Sequence, residues 1–350
     1  MKSIQINHTF SRNQQGLTLV EMMVAMTIGL VLLGGMVTVL SSSQNTYRVN
    51  EALARMQENA RYAFQLLSRD VRMAGYQGCM GDGIAVTNVL NNNTGFLWRF
   101  DQPLEGFEAT NASIPSEVTS PLQGRDLIVA RSVEGSYARV ISHASASASL
   151  EIASESEPKS SKSDQDFAKE LTNHFKDPKN VFLALVNNCQ GAAVFQVTGI
   201  GSASDRITLE HKGELNSKED LGRVFTGGEV MRVSARSYYI RTNSGGIPSL
   251  YWKKGESDAE ELVEGIENMQ IQYGEDTNED RAADIYRTAN QVTNWGNVVS
   301  VRIELLLQSV EDGIASQPQT YTFNGNTVTP ADRRLRQAFS TVISLRNRAP

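Results

Sequence analysis

Residues 17–40 read LTLVEMMVAMTIGLVLLGGMVTVL, an apolar run in which Glu21 is the only charged side chain. At about 1.5 Å per residue, a helix of this length reaches roughly 36 Å, which exceeds the ~30 Å hydrocarbon core of a bilayer. The preceding segment, MKSIQINHTFSRNQQG, is polar and positive, which favours a cytoplasmic N-terminus and an exported remainder. The run therefore predicts one membrane-spanning helix.

Glu21 is the unusual residue of this run. An unpaired carboxylate inside a membrane is costly, so an acid at such a position indicates a function. The alternative is an ordinary signal anchor, in which the Glu21 side chain only reaches back to the membrane surface. The residue type alone leaves both interpretations open.

The polar leader and the apolar run meet at Gly16. A secretory signal peptide would have a shorter apolar core that ends, rather than begins, at its cleavage site. The segment from 14 to 21, QQGLTLVE, resembles the type IV prepilin (class III) signal. The resemblance implies that a prepilin peptidase cuts after Gly16 and N-methylates Leu17. It also implies that Glu21, the fifth residue of the mature chain, pairs with the positive amine of a subunit during assembly.

A second helical pattern follows the membrane segment. Apolar residues recur at three- and four-residue spacing from Val49, which predicts an amphipathic helix that ends at Gly75. We expect its apolar stripe to pack on a sheet and most of its charges, Asp70 among them, to be solvated.

Four further segments carry a more specific resemblance. The segment from 41 to 78, with QENARYAFQLLSRDVRMAGYQG, is similar to PilW-type minor pilins and, by relation, to J-type pseudopilins of type II secretion. The similarity resumes in NMQIQYGEDTN, WGNVVSVRIELLLQS and LRQAFSTVISLRNR. Leu17, where phenylalanine is commoner, and Thr38, where many major pilins have proline, argue against a major pilin.

The resemblance implies a structural subunit, not an enzyme, that primes or caps type IV pilus assembly near the filament tip and supports adhesion or motility. Its implied partners are the prepilin peptidase, the inner-membrane assembly platform, other minor pilins, and the major pilin through N-terminal helices. It would be a single-pass inner-membrane protein with a periplasmic head, and later part of the surface pilus. A J-type pseudopilin of a type II secretion system stays the alternative.

The remainder of the chain predicts β-structure. VMRVSARSYYIR and IPSLYWKK flank the glycine-containing turn 243–246, which indicates a hairpin, and alternation at 299–307 and 339–345 indicates half-buried strands. The Ser/Ala-rich stretch at about 142–163 predicts an exposed linker, and 164–175 a short helix capped by Ser163. Further strands are expected at 126–133, 181–187, 192–200 and 205–211.

The expected fold is thus α+β, a type IV pilin fold. A prepilin leader (1–16) precedes a long transmembrane and amphipathic helix (17–75), which packs on the antiparallel sheet of an enlarged, β-rich periplasmic head (76–350).

Cys79 and Cys189 are the only cysteines, and neither lies in a zinc-binding pattern. On the exported side of a membrane, such a pair favours one disulfide that closes a long loop, whereas two buried free thiols are the alternative.

An acidic loop follows Tyr273. Oxygen-bearing side chains at Asp276, Asn278, Asp280 and Asp284 have the spacing of a calcium loop. Arg281 replaces the usual glycine and Arg287 the closing glutamate. The spacing therefore predicts either an incomplete calcium site or a solvated acidic turn; no other cofactor is expected.

Composition disfavours two other classes of function. The formal net charge of −6 and the lack of a basic cluster argue against nucleic-acid binding. His143, His174 and His211 lie near no catalytic motif and are expected at the surface. A membrane-tethered enzyme is therefore the weaker alternative, and a tip adhesin that binds through its middle region stays open.

Overall fold

A computed structural model describes residues 16, 18–76, 78, 86–108, 114–154, 159–175, 181–203, 205–346 and 348. The chain forms two compact units, residues 1–52 and residues 53–350.

Helix α1 (Leu19–Met73) contributes to both units. It contains no proline, and it stays helical through Gly34 and Gly35, where the hydroxyl of Thr38 donates to the Gly34 carbonyl at 2.9 Å. Gly75 follows the helix with φ 76°, a left-handed conformation that glycine adopts without strain. In the first unit the large apolar side chains of α1 are exposed.

The second unit, which we call the head, contains helix α2 (Lys162–His174) and a set of mostly antiparallel strands. The strands are β1 (Val86–Asn88), β2 (Leu104–Phe107), β3 (Leu127–Ser142), β4 (Leu150–Ala153), β5 (Leu183–Asn187), β6 (Ala192–Gln196), β7 (Gly199–Ser202), β8 (Arg206–Glu210), β9 (Glu229–Thr242), β10 (Pro248–Lys254), β11 (Glu260–Glu264), β12 (Ile266–Glu275), β13 (Ile285–Arg287), β14 (Val298–Gln308), β15 (Tyr321–Phe323), β16 (Asn326–Val328) and β17 (Arg336–Ser344).

These strands form three sheets. An eleven-stranded sheet has the order β1-β6-β5-β9-β3-β4-β8-β7, with β10 and β11 branching from β9 and β2 pairing with β3. A four-stranded sheet has the order β13-β12-β14-β17, and β15 and β16 form a hairpin. Apart from the parallel β1–β6 pair, the ladders are antiparallel.

Two clusters make up most of the core. One face of α1, from Met56 to Val71, packs with β12, β14 and the end of β17, as its three- and four-residue spacing predicts. Helix α2 packs with β3 to β6, β8 and β9 in the second cluster. The expected α+β architecture, a long N-terminal apolar helix with a large antiparallel-rich sheet, is confirmed.

Two local predictions are wrong. The stretch expected to be an exposed linker contains strand β4, whose Leu150 and Ile152 are fully buried because β4 pairs between β3 and β8. Helix α2 is capped by Ser161, not Ser163, since the Ser161 hydroxyl accepts from the Asp164 N–H and the Asp164 carboxylate accepts from the Ser161 N–H.

The amino-terminal segment as candidate functional site

The predicted processing site lies directly ahead of helix α1. Gly16 is exposed, and Leu17 lies outside the described residues. Thr18 is the residue before the first helical residue, Leu19, so Glu21 is the third residue of the helix. The carboxylate thus lies in the first turn of the helix, where the partial positive charge of the helix N-terminus stabilises an acid.

Thr18 and Glu21 cap this helix reciprocally. The Glu21 Oε2 atom accepts from the Thr18 N–H at 2.9 Å and from the Thr18 hydroxyl at 3.0 Å, while the Glu21 N–H donates to the Thr18 Oγ1 at 3.3 Å. This is a capping box, which satisfies amide groups that the helix itself cannot reach. The sequence prediction missed it, although Thr-x-x-Glu before an apolar run is its signature.

The capping box leaves part of the carboxylate available. No residue of the described chain donates to the Glu21 Oε1 atom, and an ionised carboxylate can accept about four hydrogen bonds. The Glu21 side chain is exposed on the isolated chain. The arrangement can therefore receive a cation from another molecule at the start of the helix.

The helix behind Glu21 has the length and the composition to cross a membrane. Its most apolar 18-residue window has a mean hydropathy of 2.3, and none of that window is buried. Leu30 and Val31 are about two-thirds or more exposed. A helix that is apolar all round needs lipid or other apolar helices around it.

The acidic loop binds its own backbone. The Asp276 carboxylate accepts from the N–H groups of Asn278, Glu279 and Arg281 at 3.2, 2.7 and 2.8 Å. Arg281 adopts φ 68°, a left-handed conformation at the position where a calcium loop has glycine. The Asp276 carboxylate therefore closes the loop through backbone hydrogen bonds.

Asp284 lies across the same loop. Its carboxylate accepts from the N–H and the hydroxyl of Thr277 at 2.7 and 2.8 Å, and these hydrogen bonds hold the pKa of Asp284 below its usual value. Asp280 accepts from the Ala282 N–H at 2.8 Å. Among the residues that the structure describes, no group of three or more His, Cys, Asp or Glu has the arrangement of a metal site. Calcium binding at Asp276, Asn278, Asp280 and Asp284 stays a prediction.

The cysteine pair also stays a prediction. Cys189 follows strand β5 in a left-handed conformation with φ 63°. Cys79 lies outside the described residues.

Two of the histidines are buried, so the expectation of surface positions is wrong for them. His143 and His211 are 2% and 1% exposed, and the Nε2 atom of each lies 2.9 Å from the Ala148 carbonyl oxygen. The His143 Nδ1 atom accepts from the Phe225 N–H at 3.1 Å, which leaves Nε2 as the protonated nitrogen. Burial lowers the pKa of His143, so the ring is held neutral.

A buried charge network joins the last turns of α1 to the sheet. Arg236 donates to Asp70 at 2.7 Å and to Glu134 at 2.5 Å, and the Tyr238 hydroxyl donates to Asp70 at 2.5 Å. Lys254 adds an ion pair to Glu134 at 2.5 Å. Burial and the charge of Asp70 raise the pKa of Tyr238 well above its usual value. The expectation that helix charges are solvated is therefore wrong for Asp70, which is 3% exposed.

Two segments of the chain match known protein families. Residues 237–347 match a family model described as type IV pilus-assembly protein W (PilW), and residues 11–37 match the prokaryotic N-terminal methylation motif. The chain is a type IV pilin-like protein with a PilW domain. The resemblance to PilW-type minor pilins is thereby confirmed.

One solved structure that the pilin-like chain matches is the type IV-like pilin TTHA1219 from Thermus thermophilus. The identity is 16%, over 53% of this chain and 100% of that chain, with a TM-score of 0.22. No curated protein matches the chain.

The two matched segments have distinct positions in the pilin-like chain. The methylation motif contains Gly16, Leu17 and Glu21, so the capping box belongs to it. The PilW domain contains the whole four-stranded sheet, from β12 to β17. The candidate processing site and the four-stranded sheet of the head therefore both lie in segments that match known pilus proteins.

Proposed function

We propose that this chain is a minor pilin that primes or caps type IV pilus assembly near the filament tip and so supports pilus biogenesis, with adhesion or motility as consequences. The observation that carries the proposal is the position of Glu21, in the first turn of an exposed apolar helix and inside the matched methylation motif.

The proposed chemistry is ion pairing in a medium of low dielectric. After cleavage behind Gly16, the new amine at Leu17 of one subunit would face the Glu21 carboxylate of a neighbour. Their attraction grows as water is removed, and each charge compensates the desolvation of the other. The exposed apolar surface of α1 would pack against the helices of other minor pilins and of the major pilin.

The route to the filament follows from the same segment. The positive leader would stay in the cytoplasm, where the prepilin peptidase acts on it, and the head would lie in the periplasm. The inner-membrane assembly platform would then move the subunit out of the membrane. In this function the head is structural, and the chain carries out no reaction of its own.

Deletion of the gene tests the proposed role. We expect few or no surface pili by electron microscopy, with the amount of major pilin on immunoblots unchanged, because priming acts on assembly and not on synthesis. Expression of the wild-type chain should restore the count. A wild-type pilus number in the deletion strain would contradict the priming role and would favour a pure adhesin or a subunit of another system.

We also propose that Cys79 and Cys189 form a disulfide in the exported protein. A closed loop of this length removes about 4–5 kcal/mol of unfolded-state entropy in the chain model. Alkylation of the folded protein without reductant should modify neither cysteine, and modification of both would contradict the bridge.

The third proposal is calcium binding by the acidic loop. A bound ion would share the Asp276 carboxylate with the backbone N–H groups of Asn278, Glu279 and Arg281. If calcium binds, millimolar calcium should raise the melting temperature of the full chain, and Asp276→Ala with Asp280→Ala should remove the gain. No shift would leave the loop as a turn.

A further inference from the structure

Strand β17 has one unpaired edge. It pairs with β14 through nine consecutive positions, from Arg336–Gln308 to Ser344–Ser300, without a register shift. It is the last strand of the four-stranded sheet, and no other described strand pairs with it. The backbone groups on one edge of β17 thus pair with β14, and those on the other edge face away from the sheet.

Hydrogen bonds at the two ends show which residues point outward. Leu345 donates to Val299 and the Leu335 carbonyl accepts from Ser309, so the odd-numbered positions face β14. Because the backbone groups of a strand alternate in direction, the even-numbered positions face outward. Arg336 agrees, since its N–H donates to the Gln319 side chain and not to β14.

The outward edge is closed at its ends and open in its middle. At one end the Gln319 side-chain oxygen accepts from the N–H of Arg336. At the other end the carbonyl of Arg72 accepts from the N–H of Arg346. Between them, four outward positions are exposed and have no hydrogen-bond acceptor in the described part of the chain: Ala338, Ser340, Val342 and Ser344. These four N–H groups and their carbonyls form a ladder without a partner.

This edge lacks the devices that usually block pairing. Natural edge strands are short or carry charges, proline or bulges. Strands β1 and β13 have three residues, β2 and β7 have four, and β11 carries Glu260, Glu261 and Glu264. Strand β17 has nine residues, no proline, no bulge and no charge after Arg336. Among the edges that the structure describes, β17 is therefore the one best suited to accept a strand.

The direction of α1 disfavours a second copy as the partner. Asn59 of α1 donates to Glu264, next to the Gly265 carbonyl that accepts from Gln308 at the end of β14. The Arg72 carbonyl accepts from the N–H of Arg346, which follows β17 and lies near the start of β14. The part of α1 in the head therefore runs antiparallel to β14 and parallel to β17. Two-fold pairing of two β17 strands would be antiparallel, so the α1 helices of the two copies would run in opposite directions. Both copies have the same membrane segment at the N-terminal end of α1, and this arrangement would point the two segments away from each other.

We infer that the free edge of β17 accepts an extended segment of a different protein, which adds a strand to the four-stranded sheet. The segment would be uncharged over about six residues, since the edge offers it backbone groups and small side chains but no ion-pair partner. Val342, 51% exposed, would face an apolar or β-branched side chain of the partner. The docking surface lies in the PilW domain.

Photo-crosslinking of the full chain in its native cells tests the inference. With p-benzoylphenylalanine at position 342, we expect a crosslink to one other protein, and mass spectrometry should locate it in an uncharged extended segment. The matched control places the same group at Val328, a valine of the β15–β16 hairpin that is 42% exposed, where we expect no such crosslink. A crosslink from position 342 only to a second copy, or to no protein, would overturn the inference.

Backbone variants separate edge pairing from simple proximity. Ser340→Pro removes one outward N–H and leaves the β14 ladder intact, because edge strands accept proline where the N–H faces away. We expect the crosslink to fall by about tenfold, whereas Ser340→Ala, which keeps the N–H, should preserve it. Ala338→Pro provides a second test if Ser340→Pro melts early. An unchanged crosslink in a folded proline variant would refute strand addition.

Discussion

The Glu21 carboxylate serves a structural purpose that is separable from its proposed role in assembly. Its Oε2 atom completes the capping box with Thr18, and its Oε1 atom stays free of donors within the described chain. A variant of Thr18 removes the cap but keeps the charge, while a variant of Glu21 removes both. The chain thus offers its own matched control.

The first prediction compares these variants. Glu21→Ala should insert in the membrane, since alanine lowers the insertion cost, but should leave the amine of its neighbour unpaired and reduce pilus counts toward those of the deletion strain. Thr18→Val loses only the cap, about 1 kcal/mol of helix stability, and should assemble at close to the wild-type number. Equal defects in both variants would assign the role of Glu21 to capping alone.

The second prediction concerns His143. Because burial lowers its pKa, the unfolded chain binds a proton below about pH 6.5 while the folded chain does not. The stability that this ring contributes is complete above pH 6.5 and decreases as the pH falls toward the folded-state pKa. The melting temperature of the full chain in detergent should therefore decrease as the pH is lowered from about 6.5 toward the folded-state pKa of His143.

His143→Gln should flatten that dependence, because glutamine can donate and accept hydrogen bonds without titrating. The control is His174→Gln at a half-buried position. If both variants kept the wild-type pH dependence, His143 would not be its source. The sequence could not predict this burial, because it follows from the contact of both histidines with Ala148 in the supposed linker.

At the scale of elements, the close approach of β2 to β12 depends on a glycine. Tyr273 in β12 is fully buried, packs edge-to-face on Trp295 at 4.7 Å, and directs its hydroxyl at Gly106 in β2. A Cβ atom at Gly106 would overlap with that hydroxyl. The ring therefore fixes the distance between the two sheets at this point.

The third prediction is that Gly106→Ala destabilises the head by about 1–3 kcal/mol through overpacking. The control, Gly201→Ala in β7, brings a Cβ no closer than 3.4 Å to Thr208 and should have a much smaller effect. Chemical denaturation of the full chain measures both. A Gly106→Ala variant as stable as Gly201→Ala would mean that Tyr273 moves aside without strain.

Local patterns predicted several elements well, because their periodicity is a property of neighbouring residues. The hairpin of β9 and β10 has the expected turn, with Thr242 opposite Pro248. The pairing of β3 with β9 and the contact of Arg236 with Asp70 join residues that are far apart in sequence, and no local signal encodes them. The Thr18–Glu21 box, by contrast, was readable from its spacing.

The whole molecule provides the test of processing, which is the fourth prediction. Mass spectrometry of the protein from peptidase-competent cells should show a chain that begins at N-methylated Leu17. A Gly16→Val variant should keep its leader if the peptidase requires glycine. An intact Met1 start in the wild-type chain would contradict the assignment of the leader.

The capping box has a consequence for reversibility. A carboxylate that already holds two donors gains less from a new partner than a bare one, because those donors already compensate part of its charge. Entry of the subunit into a filament would then add a partner at the Oε1 atom with a modest net free energy. A subunit that returned to the membrane would still have its own cap, so Thr18 would keep the Glu21 carboxylate partly compensated and the same chain available for repeated cycles.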